Sequence, residues 1–254
     1  RLWTESGMAP ELAAKPVLSR RMLIKGGGAA VILAGAGLAA TRYLSLGADH
    51  RTGVGETLAV DLPDGSRMEL STSSAVSLDF TVRERRVRLL SGEAYFRVAA
   101  DRARPFVVQA RELLATALGT AYSVAMENDG IVVSVDEHVV LVSAGGDSAE
   151  VEAGQAVSYA HRHLGRAQQV DVGTRLAWRS GQLVFISTPF GEVVEALNRW
   201  RRGRMIVMDE NLAASPVTVI VDVRRASAFV DTLEQSLPVR IDTYSPWLAL
   251  IYPR

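Results

Sequence analysis

The chain has 254 residues with 28 basic and 28 acidic side chains, so it is formally neutral and lacks the basic footprint of a nucleic-acid binder. It contains no cysteine, which excludes disulfides, thiolate metal sites and thiol nucleophiles together. The length can hold one large or two modest domains, each with a core of its own.

Arg1 to Leu18 carries two prolines and no lasting apolar period, and it reads as a tail; residues 1–21 are expected to be a cytoplasmic segment. Met22 to Leu46 has a different character. Arg20, Arg21 and Lys25 flank it, and Gly26 to Thr41 runs without a charge before Arg42. A helix crossing a bilayer needs about 20 apolar residues, and the run reaches that length only if Arg42 snorkels to the far interface. Residues 22–46 are therefore expected to be a retained signal anchor, with its basic flank on the cytoplasmic side and the rest of the chain beyond it. A cleaved signal is the competing reading, because Ser19 to Lys25 resembles the twin-arginine export pattern. A helix of small residues buried in a soluble core is a third.

From Gly53 the period changes to two. Thr57–Leu62, Arg67–Leu70, Ala75–Phe80, Arg83–Leu90 and Glu93–Val98 read as strands broken by Asp64-Gly65 and Ser91-Gly92 turns. Phe106–Val108, Leu113–Val124, Ile131–Val135, Val139–Val142, Val151 and Ala156–Tyr159 continue the series. Hydrophobic-Gly-Glu and Gly-Gln steps recur without a fixed repeat length. Many short strands with no helical run between them predict an all-β domain over 52–170; periodicity leaves open whether it is a solenoid or sandwich-like. His161 to Gln169 reads as a connection.

The segment 177–254 predicts a small α+β unit. A strand from Trp178 to Ile186 precedes a helix start at Thr188-Pro189, and Phe190, Val193, Val194, Leu197 and Trp200 share one helical face. Strands at Arg204–Met208 and Pro216–Val223, a helix at Ala226–Ser236 and a closing strand pair at Val239–Thr243 and Trp247–Tyr252 follow. The order is βαβ then βαββ, with both helices covering one face of one sheet.

Little in the chain suggests catalysis. His50, His138, His161 and His163 are its histidines; His161 and His163 could share one side of an extended segment but have no nearby carboxylate or cysteine ligand, and His138 reads as an exposed turn residue, so no metal or cofactor is expected. The serines lack a nucleophile elbow. Glu93, Asp136 and Glu137 read as solvated strand ends, and Gly26-Gly27-Gly28 is no phosphate loop. These features favour a binding or signalling module over an enzyme.

Several spaced motifs resemble the FecR family of sigma-factor regulators. They are Leu62-Pro63-Asp64-Gly65-Ser66 with Leu70-Ser71-Thr72-Ser74, then Arg86-Val87-Arg88-Leu89 with Gly92 to Val98. Arg104 to Val108, Leu118-Gly119-Thr120-Ala121-Tyr122-Ser123-Val124, Ala153-Gly154-Gln155 and Trp178 to Phe185 continue the match. The terminal unit resembles an STN domain, the small fold shared by secretins and TonB-dependent transducers.

The resemblance implies a single-pass protein of the bacterial inner membrane whose periplasmic part senses the signalling domain of a TonB-dependent outer-membrane transducer in iron-uptake control. It implies an extracytoplasmic-function sigma factor as the second partner, with membrane proteases releasing the regulator. The segment before residue 22 is shorter than the sigma-binding domain such proteins carry, so that effector is expected to be truncated or missing. Partner contact is expected by strand addition along Val217, Thr218, Val219, Ile220, Val221 and Asp222, which read equally well as an ordinary central strand. The resemblance also implies self-cleavage between Gly119 and Thr120, by attack of the threonine hydroxyl on the preceding carbonyl; a plain bend in a strand is the simpler reading. His138 stands where the family usually has glycine, and Val219-Ile220 lacks a glycine common there. A membrane-anchored envelope-structural or carbohydrate-binding β protein is the alternative function.

Overall fold

The alternating segments pair into two open sheets in a computed structural model of the chain, which describes residues 47–127, 130–225, 233–234 and 237–254. One sheet has seven strands, in the order His50–Arg51, Ala75–Phe80, Arg85–Ser91, Phe106–Ala110, Leu113–Ala117, Val139–Ala144 and Asp147–Glu152. The other runs His163–Leu164, Gln155–Ala160, Gly130–Glu137, Ala121–Glu127, Glu93–Arg97, Arg67–Leu70 and Leu58–Asp61, with Gln168–Gln169 also on Gln155–Ala160. Pairing is antiparallel except between Arg85–Ser91 and Phe106–Ala110. Val76, Val87 and Phe106 from the first sheet meet Met68, Phe96 and Tyr122 from the second in one buried cluster. What the periodicity left as solenoid or sandwich is thus a mostly-β region of two open sheets with a shared core.

Several crossings from sheet to sheet fall at residues with positive φ. Gly92 (φ 76°), Gly119 (φ 154°), His138 (φ 66°) and Gly154 (φ 83°) each stand between a strand of one sheet and a strand of the other. Positive φ turns the backbone out of the pleat, so side-chain alternation restarts after each crossing. The segment Leu113–Val124, which reads as one strand in the sequence, is therefore two: Leu113–Ala117 in the first sheet and Ala121–Glu127 in the second. His138 adopts the left-handed bend that glycine would otherwise supply.

After Gln169 comes a short helix, Val172–Arg175, capped by Asp171 accepting from Thr174 N, and a 3₁₀ turn, Ala177–Ser180, that buries Trp178 where a strand was expected. Gln182–Pro189 pairs with Pro216–Asp222 in a two-stranded sheet. Arg204–Val207, Leu248–Pro253 and Val239–Ser245 form a separate three-stranded sheet, its first pair parallel. The single sheet expected in βαβ-βαββ order is replaced by these two small ones, with an additional short helix at Glu210–Ala214. The helix Phe190–Trp200 buries the predicted Phe190, Val193, Val194, Leu197 and Trp200. Its N-cap is Pro189 rather than Thr188, whose hydroxyl donates to Ile186 O instead. The helix expected over Ala226–Ser236 lies outside the described residues except at the helical Leu233 and Glu234.

The single-pass inner-membrane placement needs correction. Among the described residues no helix is long and apolar enough to cross a membrane. The expected anchor Met22 to Leu46, like the tail before it, lies outside the described residues.

Candidate functional site

Gly119 and Thr120 form the crossing between the strands Leu113–Ala117 and Ala121–Glu127. Gly119 is held at φ 154°, and a Cβ there would lie 3.1 Å from Ala100 Cβ and 3.2 Å from Ala100 Cα, so only glycine fits without movement. Thr120 is 6% exposed, its carbonyl accepts from Val98 N at 2.8 Å, and its hydroxyl is buried without a hydrogen-bond partner. Continuing the register in which Phe96 opposes Tyr122 sets Thr120 opposite Val98, on the face turned to the main core.

An ion pair stands on the same side of the core. Arg85 is wholly buried, and its Nη1 donates to Asp64 Oδ2 at 2.7 Å and to Ala99 O at 2.9 Å, while Nε donates to Arg104 O at 3.0 Å. Asp64 also accepts from the Ser66 hydroxyl at 2.6 Å. Burial alone would raise the Asp64 carboxyl, but the bonds from Ser66 and Arg85 outweigh it and hold the group below its ordinary range. Arg85 Nη2 and the Tyr122 hydroxyl are buried without partners, and burial pushes the Tyr122 phenol far up. The Pro63-Asp64-Gly65-Ser66 turn, which reads as a hairpin signal, is thus also a clamp on a buried arginine that sequence reasoning missed. Arg85 sits at a nominally apolar alternation position, the one signal that could have marked it.

The expected partner strand lies on the two-stranded sheet. Pro216–Asp222 pairs with Gln182–Pro189 and, among the described residues, with no other strand. Val217, Val219 and Val221 turn inward, whereas Thr218 and Ile220 face out, Ile220 being 63% exposed. The three-stranded sheet is different. Asn198 Nδ2 donates to Met205 O at 2.9 Å and its Oδ1 accepts from Met205 N at 2.8 Å, so this side chain occupies one sheet edge as a neighbouring strand would. At the other edge Glu234 Oε1 accepts from Ile241 N at 2.6 Å. Side chains cap both of its edge strands.

A third feature is the seam between the β region and the C-terminal unit. Arg179 donates two bonds to Glu69, at 2.8 and 2.9 Å, and its guanidinium lies 3.5 Å over the Tyr95 ring. The Tyr95 hydroxyl donates to Asp136 at 2.8 Å, and burial with that carboxylate beside it raises the phenol to about 12. Thr72 donates to Arg199 O at 3.0 Å. Tyr95 and Ala121, on the outer side of the second sheet, belong to the core cluster of the C-terminal unit. The carboxylates that read as solvated strand ends divide here: Glu137 makes an exposed pair with Arg97 at 3.0 Å, whereas Asp136 and Glu93 serve the seam.

Among the described residues no three His, Asp or Glu side chains are grouped to hold a metal ion.

Residues 48–141 match the family model described as FecR protein. No curated protein sequence matches the chain. Two crystal structures of a candidate anti-sigma factor from Parabacteroides distasonis share its fold, at TM-scores of 0.69 and 0.67. Each is 23% identical and covers 81% of this chain and 98% of its own. The matched segment holds the Asp64–Arg85 pair and the crossings at Gly92, Gly119 and His138, and in it the chain is similar to the FecR protein family.

Proposed function

We propose that this chain is a signalling regulator of the anti-sigma-factor type that receives the signalling domain of a TonB-dependent transducer, in control of iron-uptake genes. The family match and the fold shared with the P. distasonis protein support the regulator class. The observation that carries the contact is the contrast between sheet edges: Asn198 and Glu234 cap the three-stranded sheet, whereas Pro216–Asp222 pairs, among the described residues, with Gln182–Pro189 alone and leaves its other side without a strand. An incoming strand would gain main-chain hydrogen bonds there, with Thr218 and Ile220 facing out beside it. The β region over 52–170 and the unit over 177–254 then act as body and receiver, and an extracytoplasmic-function sigma factor is the second partner. Copurification of the chain with the signalling domain of the transducer encoded beside it tests this; a complex at micromolar concentration is expected, and its absence overturns the reading.

A second reading concerns Gly119-Thr120. A glycine at positive φ supplies an unusual backbone and the buried, unpartnered Thr120 hydroxyl a nucleophile; in the step, the hydroxyl adds to the Gly119 carbonyl, the C–N bond breaks to leave an ester and the Thr120 amine, and water hydrolyses the ester. We infer self-cleavage there. Intact-mass measurement of the purified chain is expected to show a fragment beginning at Thr120, absent in Thr120→Val. A single unbroken mass in the unmodified chain contradicts it.

A further inference from the structure

We propose that the seam between the β region and the C-terminal unit is a proton-operated latch in which Glu93 carries the proton. The inference stands on the seam alone and does not depend on the transducer. Glu93 opens its strand directly after the Gly92 crossing, and its backbone is fixed on three sides. Its N–H donates to the Ser74 hydroxyl at 2.9 Å, and its carbonyl accepts from Ser71 N at 2.9 Å and from the Ser74 hydroxyl at 3.0 Å. Gly92 cannot be replaced to loosen this corner, because a Cβ there would fall 2.2 Å from Ser74 Oγ.

The half-buried Glu93 lines a cavity of about 270 Å³ at the seam. Arg199 and Glu192 approach it from the helix Phe190–Trp200, and Arg175 and Trp178 from the turns before Gly181. Glu127 approaches from the neighbouring strand, already engaged with Arg175 at 3.1 Å. Trp178 is 4% exposed. No histidine lines the cavity. A partly buried carboxyl group thus lies between two packed regions, with Arg175 committed to Glu127 and Arg199 exposed.

Burial is the largest effect on Glu93 and raises it from 4.5 to about 7; Arg199, Trp178 and Arg175 oppose the rise without cancelling it. An opened seam would return the group to water and to its ordinary value. The closed seam therefore binds the proton more tightly than the open one. Closure is strongest below about pH 4.5, weakens as pH rises toward 7 and is level above that. Each unit of difference is tenfold in the closing equilibrium, and solvent reaching a half-buried group reduces the effect, so we expect a loss of about ten- to a hundredfold.

Hydrogen–deuterium exchange of the full chain between pH 4.5 and 8, corrected for intrinsic rates, tests the latch in the amides of the helix Phe190–Trp200. Their protection is expected to fall about ten- to a hundredfold up to pH 7. In Glu93→Gln, an uncharged side chain of the same shape, protection is expected to stay level and to exceed that of the unmodified chain at pH 8. Arg199→Gln removes the main opposing charge and is expected to carry the fall to higher pH. Level protection in the unmodified chain, a Glu93→Gln profile that tracks it, or an unmoved Arg199→Gln profile overturns the proposal.

Discussion

Arg85 shows how one residue can set the form of the corner around it. A fully buried guanidinium is tolerated because Asp64 neutralises it and the carbonyls of Ala99 and Arg104 take two of its N–H groups. Those carbonyls flank the loop that packs on Gly119, so the ion pair and the sheet crossing share one corner of the core. Removing Asp64 leaves the cation buried and unpaired, and Asp64→Asn is expected to lower stability by about 3 kcal/mol in urea unfolding at neutral pH. The pH dependence has a definite sign. A carboxyl held below its ordinary 3.8 contributes stability above that pH and loses it as pH falls through the lowered value. The unmodified chain should therefore lose this contribution only in acid, while Asp64→Asn lacks it throughout; equal stability of the two at pH 7 would contradict the role.

The sequence was most legible for elements that alternate, and it failed where alternation is reset. Thr57 to Tyr159 reads as strand after strand because inward positions such as Val87, Phe96 and Val133 are apolar every second residue. It could not show which sheet a strand joins, because that is decided at the crossings. The recurring Gly-Glu and Gly-Gln steps at Gly92-Glu93 and Gly154-Gln155 turn out to be two of those crossings, and His138 hides a third behind a residue that rarely adopts positive φ. The helix Phe190–Trp200 was legible from its apolar face, whereas the split into two small sheets was not, since it depends on the parallel pairing of Arg204–Val207 with the distant Leu248–Pro253. Asn198 was invisible for a related reason: its role exists only once Met205 is placed beside it. Asn198→Ala would leave the N–H and C=O of the buried Met205 without partners, and a loss of about 2 kcal/mol is expected in thermal or urea unfolding. An unchanged midpoint would mean that the edge is closed by other means.

At the scale of the whole molecule, residues 47–254 behave as one compact unit. The β region and the C-terminal unit share buried surface through Tyr95 and Ala121, and Arg179 couples them by gripping Glu69 and covering Tyr95. The Trp178-Arg179-Ser180 motif, which reads as the start of a strand, supplies that coupling, with Trp178 buried and Arg179 reaching across to Glu69. An event on the edge at Pro216–Asp222 therefore has a physical route to the β region through the helix Phe190–Trp200 and the seam. This edge is the one proposed to receive the transducer. Calorimetric titration of the transducer's signalling domain into the chain, alongside Ile220→Glu, tests it most directly. Binding in the micromolar range or tighter is expected, with a loss of at least about tenfold in Ile220→Glu and unfolding unchanged, because that side chain is exposed. Equal affinity of the two proteins, or no binding by either, would contradict it.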